Sequence, residues 1–162
     1  MFKNKLNNKL RTAMLIAATG LTAAYSANSS AADVFTRSTT TSTFLSDTGA
    51  PVTILSMTIP AGKWVVNAKV NPVNFGAADY VRCRIIAGIT QKDAGATLLG
   101  NAAPGPTGEM GPSVAQIALQ AAVTTTSPKV FKLDCQHDFP TPGIYLDPGA
   151  RIMVVSVPGP VS

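Results

Sequence analysis

The sequence has few residues of the kinds that carry out catalysis. It contains one histidine, one tryptophan and two cysteines, and 13% of its residues are charged, about half the usual share. Glu109 is its one glutamate. Metal sites and paired-carboxylate sites need several such side chains close together. Phosphate-binding glycine loops, Gly-x-Ser-x-Gly turns and zinc-binding cysteine patterns are also missing. The composition predicts a protein that is not an enzyme and has no cofactor and no metal site.

His137, the single histidine, lies in a polar run between Asp134 and Asp138. An extended chain does not readily bring these two carboxylates to one point, and an oxidised Cys135 would not be a ligand. A copper site in a β-sandwich would need a second histidine. The sequence therefore favours a solvated loop at the end of a strand over a metal site or a catalytic base at His137.

The net charge of +5 is concentrated at the N-terminus. Four of the 13 basic residues precede the first acidic residue, Asp33; they are Lys3, Lys5, Lys9 and Arg11. The other nine basic residues are balanced by eight acidic ones, which leaves a net charge of +1. A nucleic-acid-binding domain would carry a basic surface of its own, so nucleic acid is not expected as a partner.

Residues 1–31 have the three parts of a secretory signal peptide. A basic stretch is followed by the uncharged apolar run 13–24 and then by small residues. That run is shorter than the roughly 20 residues with which a helix crosses a bilayer. Cleavage fits after Ser26, Ala31 or Ala32, and the last two leave a polar spacer. The alternative is an anchoring helix that stays attached. We predict a bacterial protein that is secreted, periplasmic or on the cell surface, without membrane insertion after cleavage.

The two cysteines, Cys83 and Cys135, are expected to form a disulfide, because exported proteins mature in oxidising compartments. They lie in the alternating segments 80–85 and 130–135, where the apolar residues share a face with the cysteine. Both cysteines should therefore point into the core. A redox pair would need close spacing such as Cys-x-x-Cys, which is missing here.

Short alternating segments separated by turn residues predict an all-β protein. Strands are expected over residues 52–59, 63–70, 80–87, 130–135 and 151–157. Residues 88–112 are rich in glycine and proline and predict mainly a long loop. Segment 113–123 alternates as a strand does, although Ser113 after Pro112 is also a possible helix start. The threonines that follow this segment favour the strand.

We predict an antiparallel β-sandwich of the jelly-roll kind with one disulfide. The sandwich domain is expected over residues 51–162. The Thr- and Ser-rich residues 32–50 before it form either an arm or an edge strand, and an arm would add a strand to a neighbour's sheet.

The segment Ile59–Ala68, with the sequence Ile-Pro-Ala-Gly-Lys-Trp-Val-Val-Asn-Ala, resembles the strand entry of exported jelly-roll heads of the complement and tumour necrosis factor type. The resemblance covers about residues 52–157. It implies a head that trimerises through apolar sheet faces and binds other proteins, and it supplies no binding residues. Three Gly-X-Y triplets at 105–113 are too few for a collagen triple helix and predict a loop.

The leading functional prediction is an exported structural, adhesive or surface-assembly protein. It would act through contacts with other proteins or with copies of itself, since low charge and apolar strands favour association. The second prediction is a small carbohydrate- or ligand-binding module with Trp64 and Tyr80 as contact residues, although the alternation around Trp64 favours a core position. A hydrolase that uses His137 is the weakest of the three.

Overall fold

The computed structural model describes residues 32–100, 112–140 and 142–158. The strands in this part of the chain are β1 (Val34–Ser38), β2 (Thr43–Phe44), β3 (Val52–Ile59), β4 (Gly62–Val70), β5 (Pro72–Asn74), β6 (Asp79–Ala87), β7 (Thr90–Leu99), β8 (Ser113–Val114), β9 (Ile117–Thr125), β10 (Lys129–His137), β11 (Tyr145–Leu146) and β12 (Arg151–Ser156). No helix long and apolar enough to cross a membrane occurs in it. The predicted leader and most of the Gly-X-Y run lie outside the described residues.

These strands form antiparallel sheets with the orders β1-β12-β4-β9, β3-β10-β6-β7 and β2-β11-β5-β8. The third sheet continues the first, because each of its strands is joined along the chain to the strand at the same place in the first. The breaks fall where Pro72 has no N–H to donate and where Gly149 adopts a φ of 91°. Eight long strands therefore form two layers, and the chain passes between them in the order of a jelly roll. The predicted antiparallel jelly-roll sandwich is confirmed.

Alternation along each strand places one side in the core between the layers. In β4, Trp64, Val66 and Ala68 are buried, and in β9 every second residue from Ile117 to Thr125 is buried. Within segment 113–123, residues 113–114 and 117–123 are therefore strand, and the alternative of a helix starting at Ser113 is wrong. Phe131 of β10 is completely buried in the same core cluster. Burial of such apolar surface is the main stabilising contribution to a fold of this kind.

The prediction of a long loop over residues 88–112 was wrong for the part that the structure describes. Thr90–Leu99 is strand β7, which pairs with β6 along its whole length. Gly95 lies where the two layers approach each other: a Cβ at this position would be 3.0 Å from Leu119 Cδ2 and 3.1 Å from Ile117 Cγ2. The glycine marks a close contact between layers, not a turn.

The Thr- and Ser-rich segment 32–50 contributes two edge strands. β1 pairs with β12 from Val34 opposite Val155 to Ser38 opposite Arg151, and β2 pairs with β11. The chain thus begins its jelly roll at one lateral edge of the first layer.

Candidate interaction surface

An aromatic patch lies on the short sheet β2-β11-β5-β8. Tyr145 is directly opposite Phe44 on one side and Val73 on the other, and Val73 is opposite Val114. Directly opposite residues share a face of a sheet, so these side chains form one row. The ring of Phe75 lies 6.2 Å from that of Tyr145 with 17° between their planes, and the Phe44 ring lies 5.6 Å from Tyr145. These five residues are called the aromatic patch below.

The aromatic patch faces away from the core. Leu146, next to Tyr145, belongs to the core cluster, whereas Val73 is buried without belonging to it. Phe44 is 68% exposed and Phe75 is 53% exposed. The outer face of an antiparallel sheet is usually polar. A contiguous exposed apolar surface typically marks a place where another molecule binds.

A side-chain turn holds Phe75 at the rim of the patch. The buried Asn74 accepts a hydrogen bond from the Gly76 N–H at 2.8 Å and donates its amide to the Ala77 carbonyl at 2.6 Å. This Asx turn satisfies a polar side chain and sets the backbone that carries Phe75. The segment between the predicted strands 63–70 and 80–87 gave no sign that Phe75 meets Tyr145, 70 positions later.

Tyr80, predicted as a possible ligand contact, lies on the outer face of the second layer and is 43% exposed. The Arg82 guanidinium sits over its ring, 5.6 Å from the centroid. Arg82 also donates two hydrogen bonds to Asp138, at 2.7 and 2.6 Å. The positive charge of Arg82 is therefore compensated by a carboxylate on the adjacent loop.

Replacing Asp138 by asparagine is expected to cause a small loss of stability at neutral pH that disappears in acid. The hydrogen bond from Arg82 holds the pKa of the Asp138 carboxyl below its usual range. Such a group stabilises the fold above its unfolded-state pKa of about 3.9, and the contribution is lost as the pH falls through the folded-state value. Urea unfolding of both proteins at neutral pH and at about pH 2 measures the effect. An equal difference at both pH values would contradict it.

Trp64, the other predicted ligand contact, is 3% exposed. Its ring packs edge to face against Phe35 with centroids 5.7 Å apart, and its Nε1 donates to the Pro60 carbonyl at 3.2 Å. The indole thus has its polar partner inside the fold. Its faces are occupied by core residues and present no surface to a sugar or another ligand.

The structure overturns the prediction of a solvated loop at His137. This residue ends β10 with its side chain buried, and its Nδ1 lies 2.8 Å from Asp79 Oδ2. Asp79, equally buried, also accepts the backbone N–H groups of Tyr80 at 2.6 Å, Phe139 at 3.2 Å and Asp138 at 3.3 Å. One carboxylate therefore ties the start of β6 to the end of β10.

The alternation of inward and outward side chains along β6 and β10 already indicated that both residues are buried. Asp79 is two positions before the buried Val81, and His137 is two positions after the buried Cys135. The polarity of His137 favoured a solvated loop instead, and that prediction was wrong. Within the described residues His137 Nε2 has no hydrogen-bond partner, and no three metal-binding side chains come together. The geometry supports a structural link between two strands.

Cys83 and Cys135 form the predicted disulfide, with an S–S distance of 2.08 Å. They are directly opposite each other in the β6–β10 pair, and each is 1% exposed. Both therefore point inward, as the alternation predicted. A buried disulfide joins two neighbouring strands of the second layer and is shielded from thiols in solution.

Comparison with known proteins shows a likeness in structure alone. No protein-family model and no curated protein sequence matches this chain. Its structure is similar to the D431N VP2 protein of infectious bursal disease virus in T=1 particles, at 13% identity and a TM-score of 0.46. It is also similar to the Gx strain of that virus, at 12% identity and a TM-score of 0.49. The matches cover 78% of this chain and 32% and 33% of the viral chains.

This chain therefore spans about a third of the length of those viral chains. At TM-scores below 0.5 the likeness says nothing about what this chain binds or assembles with, and its jelly roll is established by its own strand order. The matched structures are viral proteins and not complement or tumour necrosis factor heads. The resemblance drawn from Ile59–Ala68 is supported at the level of the jelly roll only.

Proposed function

We propose that this chain is an exported, non-catalytic structural protein that acts by contact, as a surface-assembly or adhesive component. The aromatic patch carries the proposal. It combines two exposed phenylalanines, Phe44 and Phe75, with Tyr145 on the outer face of a sheet. Leaving such a surface in water is unfavourable, and covering it with a protein partner would stabilise the complex by burial of apolar area. The partner would be another protein or a copy of this chain.

Two features support an oxidising compartment outside the cytoplasm. Disulfides form and persist in such compartments, and the Cys83–Cys135 bond lies in the core. Residues 1–31, outside the described residues, have the sequence of a signal peptide. The weak net charge beyond this segment and the pairing of Arg82 with Asp138 favour protein partners over nucleic acid.

Replacing Phe44 and Phe75 together by serine is expected to weaken assembly or surface binding strongly, without loss of stability. Both rings are mainly exposed, so the change removes apolar contact area from the patch and leaves the core cluster intact. Light scattering of the full-length chain and binding of labelled protein to the cells that produce it measure the two modes of contact. Thermal unfolding verifies the fold.

Ile89 supplies the matched control. It is completely exposed in the turn between β6 and β7, away from the aromatic patch. Replacing Ile89 by serine removes a similar apolar side chain and should leave assembly and cell binding unchanged. If the double variant at Phe44 and Phe75 assembled and bound as the natural sequence does, the patch would not be the contact surface.

A carbohydrate-binding module is the second candidate, favoured by one surface. The second layer has a shallow hollow of about 130 Å³, lined by Arg82, Gln91, Asp134 and Gln136 among others, and the Arg82 guanidinium at its rim lies over the Tyr80 ring. Planar polar side chains and an exposed aromatic ring suit the hydroxyls and faces of sugars. A glycan array distinguishes the candidates: saturable binding lost in Tyr80→Ala and kept in Phe44→Ser would favour this one.

A further inference from the structure

Three of the four lateral edges of the two long sheets are obstructed. At the edge of β9, the Gln120 N–H donates to Asp93 Oδ2 of the other layer at 2.8 Å. At the edge of β3, the Ser56 carbonyl accepts a hydrogen bond from Arg37 Nη1 at 2.6 Å. These side chains occupy backbone groups to which an incoming strand would otherwise bind.

The edges of β3 and β7 are also irregular. The pairing of β3 with β10 skips Ile54, and the pairing of β7 with β6 skips Lys92, so each edge strand carries one extra residue. Bulges and edge lysines both discourage strand addition, because they distort the hydrogen-bonding line or place a charge in it. β3 and β7 are therefore poor templates for a further strand.

β1 is the fourth edge. It has no bulge, and among the described residues no side chain of another strand is bonded to its outward backbone groups, although its own Arg37 crosses to Ser56 of β3. Its register with β12 is regular over all five residues. Asp33 and Thr39 direct backbone groups toward β12. Since alternate residues of a strand direct both backbone groups to the same side, those of Val34, Thr36 and Ser38 point to the free edge. Within the described residues these groups have no partner.

We infer that two copies of this chain pair through β1, antiparallel and about a two-fold axis at Thr36. The pairing joins the first layers of the two copies into one continuous sheet of eight long strands. This inference rests on the proposed contact function and adds to it a second contact, between two copies, that does not involve the aromatic patch. A two-fold arrangement is the commonest symmetry of homo-oligomers and uses the same surface on both copies.

The sequence of β1 is complementary to itself in this register. Thr36 lies opposite Thr36 of the other copy, and Val34 lies opposite Ser38. All three residues direct their backbone groups to the shared edge, so the pairing makes about six hydrogen bonds. Arg37 lies opposite Phe35, which avoids a contact between like charges, and threonine pairs across strands are favourable.

The two neighbouring registers of the β1 pair form fewer hydrogen bonds. Centring the axis on Phe35 leaves Ser38 without an opposite residue in the strand and reduces the hydrogen bonds to about four. Centring it on Arg37 has the same loss and places two guanidinium groups directly opposite each other. The register centred on Thr36 is therefore the one that this strand specifies.

Cysteine cross-linking of the full-length chain tests the register. The natural cysteines are bonded to each other, so Thr36→Cys introduces one reactive thiol in the described part of the chain. We expect mild oxidation to convert most Thr36→Cys protein to a covalent dimer on non-reducing gels. Val34→Cys is the control, because the two copies of position 34 would be about 14 Å apart. Equal cross-linking at both positions, or none at position 36, would overturn the proposal.

A charge exchange at the same position tests the pairing without cross-linking. Thr36→Lys and Thr36→Glu each place like charges across the axis. Arg151, whose Nε donates to Thr36 Oγ1 at 3.1 Å, adds to the repulsion in the lysine variant and offsets part of it in the glutamate variant. The lysine variant should therefore be the weaker dimer, by about fivefold at low salt in sedimentation equilibrium. Mixing the two variants should restore the dimer as a mixed species. Met153→Lys, one strand further from the edge on the same face, should have little effect. Absence of restoration on mixing would count against pairing through β1.

The experiments distinguish failure of the β1 dimer from failure of the proposed function of the aromatic patch. If cross-linking and charge exchange at position 36 have no effect while serine at Phe44 and Phe75 strongly weakens contact, the proposed function stands and the β1 dimer does not. If changes at position 36 alone disrupt the dimer, the edge pairing stands and the aromatic patch is not its contact surface.

Discussion

Replacing Asp79 by alanine is expected to lower the free energy of unfolding by about 3 kcal/mol, since the buried His137 and three part-buried backbone N–H groups lose their acceptor at once. The carboxylate accepts hydrogen bonds from His137 Nδ1 and from three backbone N–H groups, and it is 1% exposed. The change should also loosen the junction between the start of β6 and the end of β10. Urea unfolding followed by fluorescence of Trp64 measures the loss.

Asp138→Ala is the matched control for this experiment. Asp138 is also a carboxylate at the same end of the sandwich, but its partner Arg82 is half exposed, so water replaces the lost hydrogen bonds. The control should lose much less stability than Asp79→Ala. A loss below about 1 kcal/mol for Asp79→Ala would show that the buried donors find other partners.

Replacing both cysteines by alanine is expected to cost about 4 kcal/mol of folding free energy. The bond joins residues 52 positions apart, and without it the unfolded chain regains the freedom of that long loop. Both positions are also in the core, so loss of packing adds to the effect. Thermal and urea unfolding of the double variant against the natural sequence measures the difference.

Reduction of the natural sequence with a thiol is the companion measurement. Because the disulfide is buried, reduction should require partial unfolding and should be slow under native conditions. Once complete, it should leave a protein close in stability to the double alanine variant. If the double variant were as stable as the oxidised protein, the disulfide would contribute nothing to the free energy of unfolding.

Features that depend on neighbouring residues could be predicted from the sequence. Alternation placed Trp64 and Val66 inside the core, because side chains of a strand point to opposite faces in turn. The disulfide was predictable because two inward-facing cysteines, in a chain with the sequence of a signal peptide, have one possible pairing. The same rule places His137 inward, but its polarity led to the wrong prediction of a solvated loop.

Features that depend on distant contacts could not be predicted. β7 was missed because Gly95 is a turn residue by composition, and its position under Leu119 arises from the approach of two layers. The aromatic patch unites Phe44, Phe75 and Tyr145 from three separate strands and loops. Their sequence neighbours carry no signal that the side chains share one face.

The sequence by itself determined the class of the fold and the disulfide, because these follow from composition, spacing and the period of two. The tertiary structure decided which surfaces are open. Three features depend on which strands become neighbours in the jelly roll. They are the burial of Asp79 with His137, the exposure of the aromatic patch and, among the described residues, the unpaired edge of β1. Neighbour relations between distant strands arise from packing of the whole chain, and no local pattern encodes them.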